Sequence, residues 1–233
     1  LVPAPLAFPP DDVTRGVIDL VEARLADHPG STAHFDWPVT RDDALAALAD
    51  FVEHRLELFG HHQDAMWTGQ PWLWHARISA AMNLKLIGPR EVIAAAIDAM
   101  QRYRLPLQSV EGFVRQVLGW REFIRGMYWL DMPGLRDANH FGHARALPRW
   151  YWTGDTHMQC MRAAIGQTLQ YGYAHHIQRL MVTGQFALLA EIEPQQVEDW
   201  YLAVYVDAVE WVELPNVAGM TLYANGGRFT SKP

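Results

Sequence analysis

From Met158 onward the apolar residues Met161, Ile165, Leu169, Ala174, Ile177, Leu180 and Met181 return every three or four positions. That spacing lines up side chains on one face of a helix. It breaks once, at Tyr171-Gly172-Tyr173, so His157 to Phe186 predicts two helices joined at Gly172. No stretch shows sustained two-residue alternation, an internal repeat or low complexity, and the chain is predicted to be all-α. The second helix of the pair begins with His175 and His176. The positive end of the backbone dipole at a helix start disfavours an imidazolium, which suits two neutral rings that take up and release protons. Ordinary buried polar residues with backbone partners fit the same spacing.

Half of the 233 residues are hydrophobic and 19% are charged, enough to bury a sizeable core in one domain or two tightly joined ones. No apolar run approaches the ~20 residues of a membrane-spanning helix. The opening LVPAPLAFPPDD has neither the basic nor the continuous apolar region of a signal peptide, and reads as a linker entering a domain. A single cysteine excludes an intrachain disulfide and fits a reducing cytoplasm. The net charge of −7 argues against non-specific nucleic-acid binding by the whole surface, so any such contact is local. Ten tryptophans, eight tyrosines and nine phenylalanines imply a bulky core, or rings that enclose a flat cofactor or carry electrons.

Taken in order, Asp11 or Asp12 caps an amphipathic helix carrying Val13, Val17, Val21 and Leu25. Thr40, with Asp43 at the capping-box position, opens a second helix that ends near Gly60. Pro71 precedes a predicted helix from Trp72 to Leu86, and Pro89 opens another through Met100. Ser109 is predicted to cap the long run to Leu130, in which Arg115, Arg121 and Arg125 alternate with Phe113, Trp120 and Trp129. Such a face is either simply solvated or suited to phosphate and base contacts. A long loop follows from Asp131 to Gly154, and Pro194 starts a helix with Trp200 and Tyr201. The remainder reads as loop.

No dinucleotide-binding glycine motif, P-loop, nucleophile elbow or zincin motif is present. His54, His61 and His62 match no zinc spacing, and Cys160 reads as a buried thiol because a nucleophile or a metal site needs partners. Asp207, Glu210 and Glu213 form an acidic group with raised pKa values if buried, or ordinary surface groups if not.

The strings YAHHIQRLMVTGQFALLAEIEP, WYLAVYVDAVEWVELPN, EGFVRQVLGWREFIRGMYW, ISAAMN and FGHHQDAM resemble the cryptochrome/photolyase family. The nearest branch is that of the iron–sulfur bacterial cryptochromes and prokaryotic (6-4) photolyases, and the similarity runs through nearly the whole chain. The resemblance implies the all-α FAD-binding catalytic domain, without the N-terminal α/β antenna domain and its lumazine-like chromophore, and without a C-terminal cysteine-bearing segment. Residues 1–39 would be linker and leading helix, and 40–233 the incomplete helical domain. FAD supplies the chemistry in such proteins while the chain tunes it.

By the same resemblance Arg77, Ser79 and Asn83 belong to the phosphate side of FAD, where Ala76 replaces a serine common in relatives. Gln116 and Arg121 line the flavin, Asp207 lies at its polar edge and Glu213 opposite N5. Arg115, Trp120 and Met220 face the lesion, and His175 and His176 are the proton-handling pair. Trp152, Trp200 and Tyr201 form a photoreduction relay, and Cys160 is one of four ligands of a [4Fe–4S] cluster, the others lying past Pro233. The function implied is light-driven repair, by electron transfer from reduced FAD, of a (6-4) photoproduct flipped out of damaged DNA. It is expected of a monomer in a bacterial cytoplasm. A blue-light photosensor with the same flavin, or a flavin-free nucleic-acid-binding domain, are the rival readings.

Overall fold

The computed structural model describes residues 2–229; the last residues of the expected 40–233 domain, 230–233, lie outside them. Among the described residues the secondary structure is helical, with one isolated parallel bridge between Arg145 and Ile192. Local chemistry explains several helix starts. Asp11 accepts from the Thr14 N–H at 2.8 Å and opens α1 (Asp12–Arg24). The Thr40 hydroxyl accepts from the Asp43 N–H at 3.2 Å and opens α2 (Arg41–His54). Next come α3 (Leu56–His62), α4 (Ser79–Asn83), α5 (Pro89–Tyr103) and α6 (Leu107–Val114). In α5 the Glu91 carboxylate reaches back to the Gly88 N–H at 2.7 Å. Beyond them lie α7 (Arg121–Asp131), α8 (Trp150–Thr153), α9 (Gln159–Tyr171), α10 (Gln185–Leu189), α11 (Pro194–Val204) and α12 (Glu210–Pro215).

Three π-helical segments interrupt this series, at Arg115–Trp120, Ile177–Gly184 and Asn216–Thr221. The last follows Pro215, whose missing N–H and ring clash prevent α12 from continuing unchanged. The first and third fall where the sequence reading had an uninterrupted helix and a loop. Three other expectations are corrected. Trp72 to Ile78 is not helical, because Leu73 and Arg77 hold positive φ of 44° and 56°. Arg77 instead lies between the rings of Trp37 (4.4 Å) and Trp72 (3.8 Å) and pairs with Asp36. Ser109 is no cap: it is buried inside α6, its hydroxyl donating to the Glu57 carbonyl at 2.6 Å. The segment expected as a loop after Asp131 holds α8 and a 3₁₀ turn at Gly134–Asp137.

The helices enclose two apolar cores. Ala44, Leu48, Phe51, Leu56, Val92, Ala96, Phe113 and Val117, from α2 to the first π segment, make one. Tyr151, Ile165, Trp200, Tyr201, Tyr205, Leu214 and Val217, from α8 to the last π segment, make the other. The N-terminal strap is held to the first: Leu6 N–H donates to Asp50, which pairs with the buried Arg55 at 2.7 Å. By contrast α1 buries no side chain, and its Val13, Val17 and Leu20 are exposed. The helical pair predicted around Gly172 is present. Gly172 caps α9 at φ 60°, close against Val206, a geometry that a side chain would strain. Gly184 lets the second π segment approach the third: a Cβ there would lie 2.2 Å from the Thr221 methyl.

Candidate functional site

A polar seam separates the two cores, and one guanidinium sits at its centre. Arg179, on the second π segment, has its side chain carried inside by folding, where a charge needs partners. It donates to Asp207 at 2.9 Å and reaches Glu213 at 3.4 Å, with all three side chains at most 12% exposed. The guanidinium also lies 3.8 Å from the Tyr205 ring centroid. From the other side, Ser79 donates to Asp207 Oδ2 at 2.6 Å, and Asn83 donates to the Asp207 carbonyl at 2.7 Å. Arg121 extends the network by donating to Asn83 at 3.1 Å and covering the Trp211 ring at 4.6 Å. The residues expected at the flavin from α4, α7 and the acidic group thus meet in one network, except Arg77 in its tryptophan sandwich and Gln116, which is exposed.

Burial sets the charges. It raises the carboxyl pKa of Asp207, but the charge and hydrogen bond of Arg179 outweigh it and leave that group below its usual value. Glu213 has weaker compensation: burial and the neighbouring Asp207 carry it up to about 7 despite Arg179. For Arg179 itself, burial opposes the charge and the two carboxylates restore it, with a net rise.

His175 is buried at the head of the second π segment, and its Nε2 has no hydrogen-bond partner among the described residues. His75 stacks on it, with ring centroids 4.7 Å apart and planes 15° from parallel. The two nitrogens of His75 lie 2.9 Å from the carbonyls of Trp72 and Gln63, which fixes the ring as a platform. Burial, with the charges of His75, His176 and Arg179, pushes His175 down to about 3. His175 is therefore neutral at physiological pH; its Nδ1 accepts from the Ile177 N–H at 3.3 Å, so the hydrogen sits on the unpartnered Nε2, which can donate a hydrogen bond. His176 is exposed on the same turn.

Rings form a path away from the seam. Trp150 stacks on Tyr151 at 4.6 Å, Tyr151 meets Trp200 at 5.1 Å, and Trp200 touches Tyr201 at 5.2 Å and Tyr205 at 5.9 Å. Trp200 and Tyr201, named for a relay, lie on this path of rings. Trp152 does not: it is 37% exposed and has no ring neighbour among the described residues, and the rim position falls to Trp150. Trp120 donates to Asn216 at 2.9 Å, Met220 is buried in the second core, and Arg115 is held by Glu111 at 2.7 Å on the surface. Cys160 is exposed, not buried, since it occupies the outer side of the first turn of α9. Among the described residues no three His, Cys, Asp or Glu side chains converge to hold a metal ion. No described helix is long and apolar enough to cross a membrane.

The sequence reading missed Arg179 and the stack of His75 on His175. Arg179 left no local signal, since Asp207 and Glu213 lie 28 and 34 positions further on. His75 left none, because its role depends on a stack across the fold.

The fold is that of the helical half of photolyases and cryptochromes. It is similar to a class III photolyase of Agrobacterium tumefaciens, with a TM-score of 0.67 and 22% identity over 78% of this chain and 39% of that one. It is also similar to a Synechocystis cryptochrome, with a TM-score of 0.69 and 18% identity over 83% of this chain and 41% of that one. The family model described as deoxyribodipyrimidine photo-lyase-related protein matches residues 1–37. A (6-4) photolyase of Agrobacterium fabrum is 50% identical over 226 residues, 97% of this chain and 45% of its own length. An uncharacterized protein of Acanthamoeba polyphaga mimivirus is 33% identical over 48% of this chain and 85% of its own length. The chain belongs to the cryptochrome/photolyase family, in its bacterial (6-4) branch. It spans about half the length of the Agrobacterium fabrum relative.

Proposed function

We propose that this chain is the helical part of a flavin-dependent photolyase that repairs (6-4) lesions in DNA. The observation that carries the reading is the seam, in a chain 50% identical to a (6-4) photolyase. A hydroxyl, an amide and two guanidinium groups converge with two carboxylates of unlike charge preference. That donor set fits FAD, with Ser79, Asn83 and Arg121 toward its phosphates and Asp207, Glu213 and Arg179 toward the ring. When bound, FAD would supply the light-driven electron. Ser79 and Asn83 are closed onto Asp207 here, so a bound flavin has to part or share those bonds.

The chain's own work is to hold and to move protons. Asp207 stays ionised and fixes Arg179; Glu213, with its pKa near neutrality, is suited to give or take a proton at the ring's edge. His175, neutral and with its Nε2–H unpartnered, is suited to hydrogen-bond the lesion, and the exposed His176 beside it to hand the lesion a proton. Trp120 and Met220 would wall the lesion, and Arg115 would meet DNA phosphate after release from Glu111. Trp150, Tyr151, Trp200, Tyr201 and Tyr205 suit stepwise electron supply, and a photosensor would use the same path. Cys160, open on the surface, suits a cluster whose further ligands other segments would provide. Replacing His176 with Ala tests the reading: in the full-length protein, repair of a (6-4) duplex should be lost while flavin content is kept, and unchanged repair removes the histidine role.

A further inference from the structure

Glu198, on the inner side of α11, is a buried acid with no role in this account. It is 6% exposed, and its Oε1 is buried without a hydrogen-bond partner among the described residues. It lines a recess shared with Arg136, Asp199, Glu210 and Glu213, with room for a single water of about 10 Å³. An ordered water needs two to four polar partners, and this recess is lined by several. One end of the recess is wet, since the side chains of Arg136, Asp199 and Glu210 are 47%, 67% and 42% exposed. Its other end is Glu213, bonded to Arg179 in the seam.

The charged groups facing Glu198 are Arg136 and Asp137 from the 3₁₀ turn, Asp199 from its own helix, and Glu210 and Glu213 from α12. Burial carries its pKa up to about 9; Arg136 opposes this, and Asp199 and Asp137 add to it. A carboxyl that keeps its proton has one O–H to donate and an oxygen to accept with.

We propose that Glu198 and this recess form a proton inlet to Glu213, the neutral carboxyl taking a proton from the rim on one oxygen while giving its own, through one water, to the Glu213 carboxylate. One O–H bond forms on Glu198 as the other breaks. The water gains one proton and loses one, Glu213 gains one, and no electron moves. Glu198 touches no reacting atom and is a positioning residue. Use of the proton at a flavin rests on the function proposed above, but the inlet does not.

Hydrogen–deuterium exchange of the Glu213 carboxyl, read by infrared at about pH 6 where that group keeps its proton, tests the inlet directly. Its band is assigned by its loss in Glu213→Gln, and the protein is examined both with flavin and stripped of it. Glu198→Gln, nearly the same shape but unable to titrate, should slow exchange by roughly a hundredfold, and Glu198→Asp should recover most of the rate. Leu202→Phe, which fills the recess and leaves Glu198 in place, should slow it as well and carries the test if the Gln variant does not fold. Wild-type exchange in a folded Glu198→Gln or Leu202→Phe variant overturns the inlet. Slowing with and without flavin upholds it even if repair activity proves absent.

Discussion

Leu48, Phe51, Leu56 and Val92 on one side of the molecule, and Tyr151, Trp200, Tyr201 and Tyr205 on the other, are buried alike, yet only the second group carries polar atoms inward. In the first core the rings of Phe51, Phe59 and Phe113 meet edge-on or tilted, and stability comes from apolar area and fit. In the second, Tyr151 donates to the Thr183 carbonyl at 2.7 Å, Trp200 to the Tyr151 carbonyl at 3.0 Å, and Thr183 and Tyr201 pair at 2.8 Å. Both hydroxyls also lie within reach of the Arg179 carbonyl, so one donates to the other, which in turn donates to that carbonyl. The second core therefore does more than exclude water. Its hydrogen bonds fix the backbone that aims Arg179 at Asp207 and Glu213, and its stability depends on pH where that of the first does not.

The largest effect expected is at the seam. Arg179→Met should cost about 3–5 kcal/mol near pH 8, because it leaves buried carboxylates unpaired. In urea unfolding the loss should shrink toward about pH 5 as those carboxylates take up protons; a loss independent of pH would erase the contrast between the cores. Leu48→Ala, in the first core, should cost about 2–5 kcal/mol through lost burial and a cavity. That cost should be equal at both pH values.

Next comes the slope of the wild type itself. The folded-state pKa of Glu213 stands at about 7 against an ordinary 4.5, so the folded protein binds the extra proton between those values. Stability then falls as pH rises through that window, by up to about 3 kcal/mol. Asp207, lowered, acts the opposite way and loses its contribution only in acid. Unfolding measured across about pH 5 to 8 checks the sign, and Glu213→Gln should flatten the curve. The smallest effect is Thr40→Ala, about 1 kcal/mol for the lost cap of α2, again without pH dependence in thermal melts.

How far the sequence could be read follows from the same contrast. Helices whose apolar stripe repeats regularly and whose start carries a side-chain cap, as at Asp11 and Thr40, were legible because the causes are local. The bend at Gly172 was legible for the same reason. The π segments were not, since one extra residue in a turn leaves the apolar spacing almost intact. Ser109 was misread because its hydroxyl finds the Glu57 carbonyl, a partner 52 positions away. Trp72 to Ile78 was misread because the spacing of apolar residues gives no hint that Arg77 will lie between Trp37 and Trp72. At the seam, Ser79, Asn83, Arg121, Asp207 and Glu213 were named through a resemblance to flavin-binding proteins, and the fold brings them into one network. The hub, Arg179, went unnamed because a single arginine shows its meaning only once Asp207, 28 residues on, is folded against it.

The most direct test of the central claim, that the seam is a flavin site, is the absorption spectrum of the purified full-length protein beside its Asn83→Leu and Asp207→Ala variants. The wild type is expected to show flavin bands that bleach under blue light with an external reductant, and either variant that still folds is expected to hold little or no flavin. Full flavin content in both folded variants, or none in the wild type, would contradict it.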